Sequence, residues 1–250
     1  MEIHIPAPKL LKWIPSIDQH YNVDKSILLV SGCSFSVVNQ LNCATSWPGF
    51  VLDRCGFDHC IDWSYPGAGN EYIGDSILYH LSNLSDSEVK KYMVIVMWSG
   101  IDRTANKIAN VEEDPKIGNV SYCRKTATGK NLKSGAQQSA DKIFELYNYL
   151  TNRSISFVFS FYCNLLYPPY IPKRDTTPSF DNLIDKQTFK KLQELPWIPK
   201  KPMDFMFEYG FKHDLLAEDL FHPSMQCSEK WVDEILLPEM ANTNLIKKIK

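Results

Sequence analysis

Short apolar runs recur along the chain, and the first three are each followed by a stretch with helical spacing. SILLV (26–30), leading to Gly32, reads as a buried parallel strand, because a strand covered on both faces shows a continuous apolar run rather than alternation. FDHCIDW (57–63) is a second candidate, YMVIVMW (92–98) the clearest, and ISFVFSFY (155–162) a fourth. The spacing predicts a helix over 44–55, where Trp47, Phe50, Val51 and Leu52 offer apolar faces. It predicts another over 71–84, with Tyr72, Ile73, Ile77 and Leu81 on one side, and a third over 136–150, with Ile143, Leu146, Tyr147 and Leu150 on one face. EKWVDEILLPEM (229–240) predicts a last helix.

Other stretches carry less pattern. Residues 1–25, rich in Pro and aromatics, read as an N-terminal arm laid over a single domain of 26–250. Residues 104–134 are polar without a sustained period and predict a long loop or excursion. Residues 163–202 are proline-rich apart from a short amphipathic piece near 183–195, and read as a lid over a site or as a docking surface. Strand and helix alternate, so the predicted fold class is α/β, a parallel sheet with helices on both faces. Ligands of such sheets bind at the carboxyl edge of the strands. The three most unusual loops follow strands at that edge: GCSFS (32–36), PGAGN (66–70) and SGIDR (99–103).

Composition narrows the partners. The 250 residues are 44% hydrophobic and 22% charged, as in ordinary soluble globular proteins. A net charge of −2 and a pI near 6.3 imply no basic surface, which argues against nucleic acid or an anionic membrane as the main partner. The terminal IKKIK (246–250) reads as a solvated helix end. MEIHIPAPKLLKWIP has no sustained apolar core, so no signal peptide is expected, and MVIVMW (93–98) is far too short to span a bilayer. The seven scattered cysteines read as reduced thiols. CGFDHC brings Cys55, His59 and Cys60 close in sequence, but nothing completes a tetrahedral zinc set, so core cysteines and a strand-end His are the expectation.

EDLFHP (218–223) holds the most suggestive chemistry. Asp219 and His222 stand three positions apart at a turn before Pro223, and a carboxylate so placed can fix an imidazole's tautomer and steady its protonated form. Ser34, at the tip of the first strand, can supply a nucleophile. The G-x-S-x-G elbow of α/β-hydrolases is missed by one residue, since Ser36 occupies the final Gly position, and here the Ser follows the first strand. A Cys33–His222 dyad is a rival, because a thiol is intrinsically more nucleophilic. Cys33 reads instead as buried support.

The order of these blocks resembles the SGNH (GDSL-type) hydrolase family over residues 26–240. Gly32-Cys33-Ser34 stands where that family has Gly-Asp-Ser, with Ser34 as the implied nucleophile. The loop with Gly67 and Gly69 matches the Gly whose N–H helps form the oxyanion hole, and Gly69 is preferred because Asn70 would then start the helix. Gly100-Ile101-Asp102-Arg103 falls on Gly-x-Asn-Asp, and Asp219-Leu220-Phe221-His222 on Asp-x-x-His. Two departures stand out: Cys33 for a supporting Asp, and Asp102 for the oxyanion-hole Asn. A carboxylate there would repel a developing oxyanion, unless Asp102 pairs with Arg103, Asn70 supplies the donor, or Arg103 stabilises the charge.

The resemblance implies a flavodoxin-like three-layer α/β/α sandwich. It implies a serine esterase or deacylase acting on an O-acyl ester, such as an O-acetylated cell-surface carbohydrate, with Ser34, His222 and Asp219 as the triad and no metal or organic cofactor. The wording of the blocks looks most like divergent SGNH-like proteins of bacteriophages. That implies a cytoplasmic or virion-associated protein, and as the alternative function a non-catalytic virion or assembly protein that binds other phage structural proteins. Among the aromatics, Tyr65 and Trp98 lie near strand ends and are the candidates for a sugar-binding surface; Trp13, Tyr162, Tyr167 and Trp197 read as core. His213 reads as an exposed loop residue.

Overall fold

The computed structural model describes residues 9–12, 20–36, 46–108, 116–117, 120–126, 131–168 and 179–249. Trp13, most of the N-terminal arm, and parts of the 104–134 and 163–202 stretches therefore lie outside the described residues.

Four parallel strands form the central sheet: β3 (Ile27–Gly32), β4 (His59–Asp62), β5 (Tyr92–Trp98) and β9 (Ser156–Phe161). Their spatial order is β4-β3-β5-β9, so in chain order they lie 2-1-3-4, the start of a flavodoxin-type winding. Leu28, Leu29 and Val30 of β3 are buried, and β5 is buried at every position, which is why these strands read as unbroken apolar runs. A fifth strand, β1 (Lys9–Lys12), pairs antiparallel with β4 and closes that edge, so the described part of the arm extends the sheet. β2 (Tyr21–Asn22) pairs with β10 (Lys247–Lys248). The terminal lysines are thus strand residues rather than a helix end.

Helices cover the sheet to give an α/β three-layer fold. α1 (Trp47–Cys55) begins after Ser46 with a Pro in its first turn and ends on Gly56, whose φ of 70° a residue without Cβ adopts without strain. α2 (Asn70–Ser82) packs against α4 (Asn131–Asn152) and is pinned to β3 by a buried 2.8 Å bond between the Ser31 and Ser76 hydroxyls. α3 (Asp86–Val89) is one turn held by a Ser85–Glu88 capping box. α1 packs against α7 (Met225–Trp231), which runs through a π-helical turn (Val232–Leu236) into α8 (Leu237–Asn242). Arg54 of α1 is sealed into this contact by Asp53, Glu229 and Asp233, at 2.6, 3.0 and 3.2 Å. The last helical stretch is therefore longer than 229–240.

Two departures from the expected pattern bear on the site. The polar 104–134 stretch includes a small antiparallel sheet, β6 (Arg103–Ile108), β7 (Lys116–Ile117) and β8 (Val120–Thr126), ordered β6-β8-β7. Beyond α5 (Lys186–Gln193), which lies within the expected amphipathic piece, the chain forms α6 (Met206–Lys212), which the periodicity did not signal. Gly210 in α6 permits a close approach: a Cβ there would lie 2.8 Å from Leu216 Cδ2 and 2.9 Å from Cys227 Sγ. Leu216 belongs to the segment joining α6 to α7, and that segment carries Asp219 and His222.

Candidate active site

GCSFS turns sharply at the carboxyl end of β3. The Ser36 N–H donates to Cys33 O (2.9 Å), and the Ser36 hydroxyl accepts from Trp47 Nε1 (3.1 Å). Gly32 is small because the turn folds back on it: a Cβ there would lie 2.2 Å from Ser36 Oγ and 3.1 Å from Met97 O. Cys33 is fully buried. Ser34 is only half-buried and stands at the tip of the turn.

The segment between α6 and α7 is a narrow hairpin. Leu216 bridges to Pro223, the Ser224 N–H donates to Leu215 O (3.1 Å), and the Ala217 N–H donates to His222 O (2.8 Å). At its tip Asp219 Oδ1 accepts from the N–H groups of Phe221 and His222, both at 2.9 Å. The other oxygen, Oδ2, meets His222 Nδ1 at 2.5 Å, and His222 Nε2 meets Ser34 Oγ at 2.9 Å. An ionised carboxylate can only accept, so Nδ1 carries the ring proton; Nε2 then accepts from the Ser34 hydroxyl. The hydrogen bond from His222, aided by the two backbone donors, lowers the Asp219 carboxyl to about 2. The His222 ring packs against Phe35 (5.3 Å between centroids) and Phe221 (5.2 Å), which also touch each other at 5.4 Å, and Phe35 packs in turn on Tyr162 at 4.6 Å.

This chain of hydrogen bonds opens on a cleft of about 450 Å³. Phe35, Pro66, Ala217, Pro223 and Met225 give it apolar walls, and Ser46, Ser224 and Ser228 also line it. The loop of Pro66 is tied to the strand of Ser34 through the Tyr65 N–H, which donates to Gly32 O (3.0 Å). Neither the Ser34 nor the Gly69 N–H donates to another described residue; Ser34 lines the cleft, whereas Gly69 is buried and does not.

The remaining expected residues are placed differently. Asn70 is fully buried; its amide donates to Ser99 O (3.3 Å) and Ser139 Oγ (3.1 Å), and its oxygen accepts from the Ser99 N–H (2.8 Å). Both its donors are committed, so it clamps the start of α2 to the end of β5 and offers nothing to an oxyanion. Gly100, Asp102 and Arg103 form the turn after β5, where the Arg103 N–H donates to Gly100 O (3.1 Å), and none of them lines the cleft. Trp98 is buried edge-on to Phe159, so it is no sugar-binding surface. Tyr65 is half-buried beside Tyr72, and His213 is exposed with its ring against Tyr209. Among the described residues no group of three or more His, Cys, Asp or Glu is arranged to hold a metal ion. No described helix is long and apolar enough to cross a membrane.

Sequence reasoning missed Phe35 and Phe221, which hold the imidazole. The signal was their adjacency to Ser34 and His222.

No family profile and no curated protein sequence matches the chain. Its structure is similar to that of the psychrotrophic esterase EstA from Pseudoalteromonas sp., at 13% identity over 88% of this chain and 99% of that one, with a TM-score of 0.51. It is also similar to the protein YXIM of Bacillus subtilis, at 10% identity over 89% of this chain and 58% of that one, with a TM-score of 0.53. These likenesses establish the α/β fold.

Proposed function

We propose that the protein is a serine ester hydrolase that cleaves an O-acyl ester. The observation that carries this reading is the continuous bonding from Asp219 through His222 to Ser34, the last two of which line an open cleft. The likeness in fold to an esterase adds to it.

In this reading the Ser34 oxygen attacks the acyl carbonyl while His222 Nε2 takes its proton. Asp219, accepting from Nδ1–H, steadies the imidazolium that forms. The Ser34 N–H holds the oxyanion, the term that usually contributes most to such catalysis. Collapse of the intermediate breaks the C–O bond, and His222 returns the proton to the leaving alcohol. Water then repeats the sequence on the acyl-enzyme, freeing the acid and Ser34. Asp102, in the turn after β5, is not among the residues that line the cleft.

A fluorophosphonate probe tests the reading, since it reacts with an activated Ser. Labelling of Ser34, abolished in His222→Ala, is the expected result, together with hydrolysis of p-nitrophenyl acetate that Ser34→Ala eliminates. The same hydrolysis rate in wild type and Ser34→Ala would overturn it and leave a scaffold used for binding.

A further inference from the structure

A second cavity, of about 310 Å³, lies at the opposite edge of the sheet from Ser34. Ile155, Ser156 and Phe157 line it at the start of β9, whereas Ser34 follows the carboxyl end of β3, and the two cavities share no residue. Its volume is at the small end of the range of roughly 300–1,000 Å³ usual for small-molecule sites. Trp197, Ile198 and Leu245 complete the apolar wall. The Trp197 indole N–H donates to Leu192 O (2.6 Å) and its ring stacks on Phe161 at 4.7 Å, so the ring is fixed and its one polar atom is already paired.

Two charged side chains line the same cavity, Glu239 of α8 and Lys200. They carry opposite charges, yet neither side chain makes a hydrogen bond or an ion pair with the other or with any other described residue. Glu239 is half-buried. Burial, and after it Asp204, pushes its carboxyl up from the usual carboxylate range, against the pull of Lys201 and Lys200. A partly desolvated carboxylate without a partner favours a bound cation.

Phe157 adds a polar edge. The Phe159 C=O accepts from the Ile198 N–H (2.9 Å), and alternate residues of a strand turn their backbone groups to the same side, so the Phe157 N–H and C=O face that side too. Neither has a partner among the described residues. The open edge is one residue long, because Ile198 covers it at Phe159 and the Ile155 N–H turns back to Leu150 O (2.9 Å). That is too short for an added strand, so the cavity suits a small molecule rather than an extended peptide.

We infer that this cavity binds a free α-amino acid with an apolar side chain, the side chain against the Trp197 wall, the ammonium group at Glu239 and the carboxylate at Lys200. An apolar amine answers only Glu239, and an apolar acid only Lys200. The amino acid is the simplest class of molecule that answers both charges and the apolar wall. The site is separate from Ser34, and the inference does not rest on the hydrolase reading.

Isothermal titration calorimetry on the full-length protein at neutral pH tests it. The probes are L-leucine and L-phenylalanine, each beside its decarboxylated amine (3-methylbutylamine, 2-phenylethylamine) and its deaminated acid (4-methylpentanoate, 3-phenylpropionate). At least one of the two amino acids is expected to bind with a Kd of about 1 mM or tighter, and its amine and acid about fivefold or more weakly, the loss of one charge-assisted contact at a partly exposed site. Glu239→Gln weakens the amino acid and the amine but not the acid. Lys200→Gln weakens the amino acid and the acid but not the amine. Unchanged melting temperatures show that both variants fold. Failure of both amino acids to bind at about 10 mM overturns the inference. So does an amine or an acid that binds as tightly as its amino acid, and so do variants that weaken every probe alike or none.

Discussion

Replacing Asp219 by Asn separates its chemical part from its structural one. The carboxylate makes three bonds: Oδ1 accepts from the N–H groups of Phe221 and His222 at 2.9 Å, and Oδ2 accepts from His222 Nδ1 at 2.5 Å. An Asn carbonyl at the Oδ1 position keeps both backbone bonds, so the hairpin tip survives. Its NH2 then faces Nδ1 and donates, which places the ring proton on Nε2. That nitrogen, 2.9 Å from Ser34 Oγ, can no longer accept the serine proton. The wrong-tautomer effect costs roughly 10⁴-fold in a buried protease triad. Here the Asp219 side chain is 50% exposed, and solvent reduces the electrostatic part, so a loss of about 10³-fold in kcat/KM is expected. Asp219→Ala should lose about as much activity and, in addition, the two backbone bonds. At so exposed a site these contribute about 1 kcal/mol together, or roughly 2–4 °C in melting temperature for a domain of this size. The assay is p-nitrophenyl ester hydrolysis beside thermal unfolding for both variants. An Asn variant retaining a tenth or more of wild-type kcat/KM would refute the assigned tautomer, and with it the role of Asp219.

Gly32→Ala should destabilise the protein by about 1–3 kcal/mol, because the new Cβ would lie 2.2 Å from Ser36 Oγ; denaturant unfolding would measure it, and an unchanged midpoint would contradict the tight turn. Cys33→Ala should leave ester hydrolysis within a few-fold of wild type, since the thiol is fully buried; loss of turnover in this variant alone would return the thiol dyad. Asn70→Ala should cost about 1–3 kcal/mol by stranding the buried Ser99 N–H, a cost read in the same unfolding experiment and absent if the amide clamp is dispensable. Because the folded state depresses the Asp219 pKa from 3.8 to about 2, its stabilising contribution is complete above about pH 4 and is lost as pH falls toward 2; exposure keeps it below about 1 kcal/mol. Stability measured across that window should fall less steeply in Asp219→Asn than in wild type.

The sheet was legible where both faces of a strand are covered. β5 is buried at every position and appears in the sequence as YMVIVMW. β1, a short KLLK edge strand, and β6 with β8, of mostly polar composition, are held by backbone ladders that need no apolar period, so periodicity could not report them. α6 escaped because Gly210 and the aromatics around it obscure a single seven-residue element. At the site, the order of the Gly-rich and Asp-x-x-His blocks indicated which residues matter, and in the structure His222 bonds Asp219 on one ring nitrogen and Ser34 on the other. Direction was not legible. Asn70 follows Gly69 in sequence, yet its amide turns toward Ser99. Trp98 ends a strand, yet its ring lies beneath α2, where a Cβ on Gly74 would come within 3.5 Å of it. Such choices depend on which neighbour leaves a polar group unpaired or a hollow unfilled, and those neighbours come from distant parts of the chain.

The two halves of the site are held by different physics. Ser34 is fixed by covalent attachment to a buried strand and by a turn so tight that Gly32 admits no Cβ. Its position follows from the core. His222 sits on a half-exposed hairpin, and its aim is set locally by Asp219, which holds both the ring and the backbone of the turn. Phe35 joins the halves: it follows Ser34 in sequence, packs on Tyr162 at the end of β9, and lies against both Phe221 and the His222 ring. A residue one position from the serine thus transmits the rigidity of the sheet to the imidazole. The hairpin thus presents Leu220 to solvent with a left-handed φ of 56° while His222 Nε2 stays 2.9 Å from Ser34 Oγ, because the imidazole is held by Asp219 and by packing against Phe35 and Phe221 rather than by Leu220.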